Sequence, residues 1–231
     1  MGGGSGARPS ASGAQDSHSL HARLSASTDI PAHSRIEASP AWSPSFYDRP
    51  MPGRVVLLHG TSSSGKTTVA RAVQRLSDEP WVRLGIDAFW NAIDERWMEH
   101  GPRAAEGFLW TDDATIVPGP VGKRLAAGMR AALAAFARAG NDVLVDDVFI
   151  DPAWLDGWRT ELTNVELLLV GVMAPLHVLE ERETARGNRI AGEARAQVDL
   201  IHHGVEYDLT VDTSRESPEE CARSILAALM R

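Results

Sequence analysis

Apolar and polar positions follow two different periods along residues 54–231. Short unbroken apolar runs are typical of strands that a sheet buries on both faces, whereas apolar residues three or four positions apart are typical of packed helices. The apolar runs predict strands at 55–59, 81–86, 142–149, 165–172 and 209–212. The helical spacing predicts helices at 66–76, 89–100, 120–139, 176–186 and 217–230.

Two segments add detail to this alternation. The stretch "GFLWTDDATIVPG" at 107–119 places two short apolar runs around a polar turn, which predicts a small hairpin. The helix at 120–139 is rich in alanine and has four larger apolar residues at helical spacing: Leu125, Met129, Leu133 and Phe136. Because strands and helices alternate, we expect an α/β fold with a doubly wound, mostly parallel five-stranded sheet and flanking helices.

Residues 1–50 have a composition unlike that of the rest of the chain. Gly, Ser, Ala, Pro and His dominate this segment, and no apolar periodicity runs through it. Such a composition buries too little apolar surface to offset the entropy of ordering. We therefore expect a disordered low-complexity extension at 1–50 and one globular domain at 51–231.

Charge and composition narrow the classes of partner. The formal net charge is −8, and nucleic-acid backbones require clustered Lys and Arg, so no nucleic-acid partner is expected. No apolar stretch reaches the length of a bilayer span, so no membrane partner is expected either. The single cysteine, Cys221, excludes an internal disulfide and indicates a reducing, cytoplasmic location. A homo-oligomer is left open.

The segment between the first strand and the first helix matches the phosphate-binding pattern G-x-x-x-x-G-K-[ST]. Its glycines let the backbone curl until successive N–H groups face an anion, and the following helix start adds partial positive charge. Lys66 is expected to reach the β- and γ-phosphates, and the Thr67 hydroxyl to bind Mg²⁺. The motif predicts a P-loop NTPase-type fold with ATP and Mg²⁺ as cofactors, GTP being left open. The predicted nucleotide-binding residues are Gly60, Thr61, Ser62, Ser63, Ser64, Gly65, Lys66, Thr67 and Thr68.

Two adjacent aspartates, Asp146 and Asp147, end the apolar run "VLVDDVF". A carboxylate at a strand end beside a phosphate loop can hold Mg²⁺ directly or through water. The alternative is that both are solvated residues capping a turn. Asp146 is the preferred metal ligand because it directly follows the apolar run, although the sequence does not decide between the two.

Asp87 follows the predicted second strand at the edge where ligands collect in open α/β sheets. A carboxylate in this position can accept the proton of a hydroxyl that attacks the γ-phosphorus. The alternative is an N-cap for the helix expected from residue 89. The catalytic interpretation is the preferred one.

Three arginines crowd the segment "RETARGNR" after the fourth strand: Arg182, Arg186 and Arg189. Arginines on a segment over the nucleotide can neutralise charge as the γ-phosphoryl group transfers. The alternative is a surface helix whose arginines pair with Glu180, Glu181 and Glu183. The crowding at one helix end favours a catalytic lid.

Several of these segments together resemble the chloramphenicol phosphotransferase family. They are "HGTSSSGKTTVARAVQ", "EPWVRLGID", "DVLVDDVF", "ERETARGNRIAG" and "HHGVEYDLTVDTSRESPEECA", and they cover most of 54–231. The resemblance implies an ATP-dependent P-loop kinase that phosphorylates the primary hydroxyl of chloramphenicol and gives antibiotic resistance. It implies Asp87 as the catalytic base and the three arginines as lid residues. It also implies that Asp212 and Thr213 border the adenine.

Two departures from the family concern the acceptor. Asp87 is followed by Ala88 where the family has a serine, and the hairpin region is rewritten. Aromatic residues crowd the segment between Asp87 and the hairpin, and pockets for drug-sized molecules are largely apolar and aromatic. Most of these rings are expected in the core, and Phe89, Trp90 and Trp110 are the predicted acceptor-binding residues.

Three functions remain compatible with the sequence. The first is an O-phosphotransferase acting on a small-molecule hydroxyl, and the second is a P-loop kinase of a nucleoside, sugar or nucleotide sugar. The third is a nucleotide-dependent switch without an acceptor, against which Asp87 and the arginine cluster argue. His202 and His203 are interpreted as helix-end residues, because no third ligand accompanies them at a metal-site spacing. Lys123 is interpreted as a solvated helix residue.

Overall fold

The computed structural model describes residues 51–111, 115–149, 151, 153–186 and 192–230. Within these ranges the strands are β1 (Arg54–His59), β2 (Trp81–Arg83), β3 (Met98–Glu99), β4 (Phe108–Trp110), β5 (Ile116–Pro118), β6 (Asp142–Asp147), β7 (Glu166–Met173) and β8 (Leu209–Asp212). The helices are α1 (Lys66–Leu76), α2 (Ile86–Trp90), α3 (Pro120–Arg138), α4 (Ala153–Glu161), α5 (Leu176–Arg186), α6 (Glu193–Val198) and α7 (Pro218–Ala228), with a 3-10 turn at Glu95–Trp97.

A five-stranded sheet forms the centre of the fold, in the order β2–β6–β1–β7–β8. All four of its strand pairings are parallel. Alternate residues of β1 point to opposite faces, so Val56 and Leu58 join a core cluster with α1 and α7, while Val55 and Leu57 join one with α3 and α4. The predicted doubly wound, parallel five-stranded sheet is thereby confirmed.

A second, three-stranded sheet contains β3, β4 and β5. The predicted hairpin is confirmed, because β4 and β5 pair antiparallel with Leu109 opposite Val117. β3 adds a parallel strand that the sequence did not predict. Two-residue β3 is too short to show an alternating pattern of apolar and polar residues.

The segment 81–100 differs most from its prediction. The second strand ends at Arg83 rather than 86, and α2 starts at Ile86 and lasts one turn. The helix predicted at 89–100 is therefore wrong beyond Trp90. The chain instead forms the 3-10 turn, in which the Asp94 side chain accepts a hydrogen bond from the Arg96 N–H. Glu99 adopts a left-handed backbone (φ 53°) that a helix cannot continue through.

Helix α3 confirms the predicted helix, and the larger apolar residues at helical spacing are only partly buried. Met129 and Leu133 are buried, whereas Leu125 and Phe136 are exposed. The other buried residues of the helix are small: Gly122, Ala126, Ala134 and Ala137. Alanine and glycine carry a weak apolar signal, so the spacing of the larger residues alone does not define the buried face.

Helices α4 and α6 were not predicted from the sequence. In α4 only Leu155 and Trp158 are buried, and α6 buries the polar side chains of Glu193 and Gln197 beside Ala194. Neither pattern gives a helical apolar period over enough residues to be recognised. Among the described residues, no helix is both long and apolar enough to cross a bilayer.

Candidate active site

The phosphate loop (residues 60–67) connects β1 to α1 at the carboxyl edge of the large sheet. Gly65 has φ 97°, a left-handed conformation that glycine adopts without strain, and a Cβ there would lie 3.4 Å from Thr213. Lys66 Nζ donates to the carbonyl oxygens of Gly60 (2.7 Å) and Thr61 (2.8 Å). The loop is therefore curled around its own lysine.

Buried hydroxyls line this loop. The Oγ atoms of Ser62, Ser63 and Ser64 are buried and have no hydrogen-bond partner among the described residues. Ser62 and Ser63 also line the pocket above the loop, whereas Thr68 is exposed on the first turn of α1. These hydroxyls can therefore still form hydrogen bonds, at the place where the motif predicts phosphate oxygens.

The two aspartates at the end of β6 have different surroundings. Asp146 Oδ2 accepts a 2.8 Å hydrogen bond from Thr67 Oγ1 and lines the pocket above the loop. Asp147 is buried and accepts from the backbone N–H of Val148 and from Trp158 Nε1, and its burial raises the pKa of its carboxyl group. Of the two alternatives, Asp146 faces the pocket and Asp147 faces the core.

Gly85 makes room for the Asp146 carboxylate. A Cβ on Gly85 would overlap the Asp146 side chain, so this position accepts no larger residue without moving the carboxylate. Arg83 approaches the same carboxylate at 3.6 Å. The end of the second strand therefore fixes Asp146 beside the loop.

The oxygens of Thr67 and Asp146 suit a magnesium ion, which prefers oxygen ligands and commonly keeps several waters. Within the described part of the chain, no group of three or more His, Cys, Asp or Glu side chains could hold a metal by itself. An ion bound here would therefore take further ligands from phosphate oxygens and water. The donor set fits the predicted Mg²⁺.

Asp87 lies in the first turn of α2 rather than at the end of a strand. Gly85 occupies the N-cap position, so the alternative interpretation of Asp87 as the N-cap is wrong. The Asp87 residue is exposed and lines the same pocket as Lys66, Thr67 and Asp146. We call this space, which Arg186 and Glu193 also border, the phosphate pocket.

The three predicted lid arginines occupy different positions. Arg182 donates to Thr213 Oγ1 (2.9 Å) and Thr213 O (2.8 Å) and reaches the Ser63 carbonyl at 3.5 Å, so it braces the loop from outside the pocket. Arg186 is exposed and lines the phosphate pocket. Arg189 lies outside the described residues. Neither Arg182 nor Arg186 pairs with a carboxylate among the described residues.

The glutamates of α5 have other partners. Glu183 is buried and accepts the N–H groups of Gly192 and Ala194, while Glu180 pairs with Arg195. These contacts tie α6 to α5. The alternative of a helix whose glutamates pair with Arg182 and Arg186 does not describe the contacts seen.

The predicted adenine neighbours lie at the end of β8. Thr213 Oγ1 donates to the Ser64 carbonyl at 2.7 Å, so Thr213 supports the phosphate loop directly. Asp212 Oδ1 accepts from the N–H and hydroxyl of Ser214, and these hydrogen bonds lower the pKa of the Asp212 carboxyl group. Both residues thus organise the turn that closes the loop from one side.

A cavity of about 290 Å³ adjoins the phosphate pocket. Its walls are mainly apolar, and we call it the apolar cavity; its main lining residues are Trp90, Phe108, Ile116, Val148, Phe149 and Trp154. Trp90 also lines the phosphate pocket and is therefore one of the residues at the boundary of the two spaces. Lys123, interpreted from the sequence as solvated, is exposed and lies at this cavity.

The other predicted acceptor residues lie elsewhere. Phe89 packs against the core cluster of α3 and α4. Trp110 meets Trp90 edge to face at 5.2 Å and lines an open groove of about 590 Å³ with Asp87. Sequence reasoning missed most of the apolar cavity, although Val148 and Phe149 follow Asp147 directly and could have been found from that position.

Hydrogen bonds join the rings of His59, Tyr207 and His202 next to Phe149, which lines the apolar cavity. Tyr207 Oη lies 2.7 Å from His59 Nδ1 and 2.6 Å from His202 Nδ1, and His59 Nε2 lies 3.1 Å from the Phe149 carbonyl oxygen. Phe149 also stacks on the His59 ring at 3.7 Å. Burial lowers the pKa of His59 to about 3, so its imidazole is neutral. His202 therefore belongs to this hydrogen-bonded group of rings and is not a helix-end residue.

Comparisons with known proteins identify a family and a relative. A family model described as chloramphenicol phosphotransferase-like protein matches residues 53–230. A protein of Mycobacterium tuberculosis (strain CDC 1551 / Oshkosh) named "putative O-phosphotransferase" is 31% identical over 185 residues, which cover 75% of this chain and 80% of that protein.

Solved kinases share the fold. A sugar kinase from Janibacter sp. HTCC2649 superposes with a TM-score of 0.56 at 21% identity, over 78% of this chain and 95% of that one. The APS kinase of Mycobacterium tuberculosis, solved in complex with AMPPNP and APS, superposes with a TM-score of 0.56 at 20% identity, over 79% and 100%.

Proposed function

The chain belongs to the chloramphenicol phosphotransferase-like family, and we propose that it is an ATP-dependent kinase of a small-molecule hydroxyl. The observation that carries this proposal is the junction of two spaces at Trp90. On one side lies the phosphate pocket with Lys66, Asp87 and Asp146, and on the other side lies the apolar cavity. A phosphoryl donor in one space and an acceptor in the other would therefore lie side by side.

Each residue of the phosphate pocket has a separate role in the proposed transfer. The loop N–H groups and Lys66 hold the phosphates of ATP, and Thr67 and Asp146 would hold Mg²⁺, which would supply positive charge beside the phosphates. The acceptor oxygen forms a bond to the γ-phosphorus, the bond to the β,γ-bridging oxygen breaks, and ADP leaves. The Asp87 carboxylate takes the proton of the attacking hydroxyl. Arg186 faces the same pocket and can stabilise the transferring charge.

For the acceptor we propose chloramphenicol or a related antibiotic. The family supports this choice, and so does the shape of the apolar cavity, because aromatic and aliphatic walls of this size suit the body of a drug-sized molecule. The hydroxyl of such an acceptor would extend past Trp90 towards Asp87. Phe108 and Ile116 of the small sheet would contact the acceptor directly.

A second acceptor class is favoured by the open groove on the other side of Trp90. This groove combines Asp87, Asn91, Glu95 and Glu99 with the Trp110 ring. Carboxylates and amides beside an aromatic face offer many hydrogen-bond partners to a hydroxyl-rich molecule such as a nucleoside or sugar. In that case the same phosphate pocket would serve a sugar-like acceptor.

The test is a screen of hydroxyl compounds for ATP-dependent gain of one phosphate by mass spectrometry. Chloramphenicol and related amphiphilic drugs represent the first class, and nucleosides, sugars and nucleotide sugars represent the second. Transfer to the drugs, abolished in the Lys66→Ala variant, is the expected result. ATP turnover that is independent of every added hydroxyl compound would contradict the kinase assignment and favour a nucleotide-dependent switch.

A further inference from the structure

Four residues line both the phosphate pocket and the apolar cavity: Trp90, Ile116, Val148 and Gln197. Ile116 and Val148 present only hydrocarbon, and Trp90 offers a single N–H donor. Gln197 is the shared residue whose side chain carries both a donor and an acceptor. Its amide therefore lies where the two spaces adjoin.

The Gln197 amide has a fixed orientation. Its side chain is 3% exposed, its Oε1 accepts from the Ser62 backbone N–H at 2.9 Å, and its Nε2 donates to Glu193 Oε1 at 3.2 Å. Turning the amide over would set its N–H₂ against the Ser62 N–H and its oxygen against the Glu193 carboxylate. Both partners therefore select the same orientation.

Packed helices hold this amide in place. Glu193 and Gln197 lie one turn apart on α6, and the buried Glu183 of α5 accepts the Gly192 and Ala194 N–H groups. Arg195 pairs with Glu180 on the same two helices. The Ser62 corner of the phosphate loop is thereby tied to the α5–α6 pair rather than to solvent.

Loss of the amide has two physical consequences. A buried Ser62 N–H without a partner costs about 1–3 kcal/mol, which the loop would recover by shifting, and a misplacement of about 1 Å can cost roughly 10²-fold in rate. A shorter side chain also leaves a gap lined by Glu193 and Ser62, and a polar gap of this kind admits water. Water beside the γ-phosphorus competes with the acceptor hydroxyl.

We propose that Gln197 is a positioning residue that directs the γ-phosphoryl group to the acceptor rather than to water. The inference rests on the proposed function and adds a residue that determines how much of the phosphoryl group reaches the acceptor and how much reaches water. Gln197 holds the loop at Ser62 and forms the polar part of the wall between the two spaces. ATP affinity depends mainly on Lys66 and the remaining loop N–H groups, so the role of Gln197 concerns the transfer step.

The experiment uses the full chain and compares Gln197→Ala with the matched variant Gln74→Ala. Gln74 donates to the Trp81 carbonyl from α1, outside both spaces. For Gln197→Ala, kcat for transfer should fall roughly 10–100-fold while KM for ATP stays within about threefold. ADP formed per acceptor phosphorylated should rise about tenfold or more, because water replaces the amide. Gln74→Ala should leave both quantities unchanged.

Gln197→Met keeps the length of the side chain and removes the hydrogen bonds. It should fold even if the alanine variant does not, and its kcat for transfer should still fall, because Ser62 again loses its partner. A merely structural role would lower the melting temperature and leave the ratio of ADP to phosphorylated acceptor unchanged, and that result would overturn the inference while the kinase assignment stands. A wild-type protein that phosphorylates no acceptor would overturn both.

Discussion

Replacing Asp87 by asparagine separates the chemical role of this carboxylate from its structural one. Asp87 lies in the first turn of α2, where Gly85 holds the N-cap position without a side-chain hydrogen bond. Its structural contribution is therefore limited to the interaction of an exposed charge with the helix dipole, typically about 0.3–1 kcal/mol. Asp87→Asn should change the free energy of unfolding by less than about 1 kcal/mol.

The effect on catalysis should be much larger. Asparagine cannot take the proton of the acceptor hydroxyl, and a general base typically contributes about 10²–10⁴-fold to the rate. This range corresponds to a barrier higher by roughly 3–5 kcal/mol, so the kinetic loss exceeds the expected loss of stability severalfold. A loose transition state, in which the hydroxyl needs less activation, would place kcat at the smaller end. ATP affinity should change little, because Gly60–Thr67 holds the phosphates.

The assay is single-turnover phosphorylation of the acceptor found in the screen, with ATP binding by calorimetry and a urea melt. Asp156→Asn is the matched control, since Asp156 is an exposed carboxylate in the first turn of α4 and its removal changes the net charge equally. The control should transfer phosphate at the wild-type rate. An Asp87→Asn protein that binds ATP normally and retains more than about half of the wild-type rate would refute the assignment of Asp87 as the base.

Three further changes test the phosphate pocket and the buried histidine. Lys66→Ala should abolish transfer and raise the Kd for ATP. Replacing the other lysine of the chain, Lys123→Ala, should leave the Kd for ATP unchanged. If calorimetry gave the two variants the same affinity for ATP, Lys66 would not belong to the nucleotide site. Gly85→Ala should displace Asp146 and raise the Mg²⁺ concentration needed for half-maximal rate, and an unchanged magnesium titration would contradict the role of Asp146. Burial lowers the pKa of His59 from 6.5 to about 3, so the unfolded chain binds an extra proton between these values and stability should be lost as pH falls from 6.5. The slope from this group is at most about 1.4 kcal/mol per pH unit, and urea melts of His59→Gln at pH 7.5 and 5 should show a smaller loss than wild type.

Local signals in the sequence were sufficient for the large sheet and the phosphate loop. The run 55–59 is apolar because both faces of β1 are buried, and the loop pattern places Lys66 and Thr67 at fixed offsets from that strand. Asp146 could be preferred over Asp147 on the same grounds, because its position at the strand end follows from the apolar run. The structure orients these side chains as the local pattern indicates.

The remainder of the site depends on contacts between distant residues. Gln197 meets Ser62 across 135 positions, and Tyr207 meets His59 across 148. Neither pairing leaves a periodic trace in the chain, since each is a polar side chain buried by tertiary packing. The apolar cavity likewise combines residues of the small sheet with residues that follow β6. The crowding of aromatic residues in the sequence predicted an aromatic acceptor site, but it did not indicate which rings line the cavity.

The separation of the two sheets has a consequence for how the enzyme can diversify. The phosphate loop and Asp146 belong to the large sheet, whereas Phe108, Ile116 and Val117 reach the apolar cavity from strands of only three residues in the small one. Substitutions in those short strands can reshape the cavity while the nucleotide machinery keeps its supports. If the apolar cavity binds the acceptor as proposed, new acceptors can arise by substitutions in these two strands, and directed evolution of specificity should concentrate its libraries on residues 108–110 and 116–118.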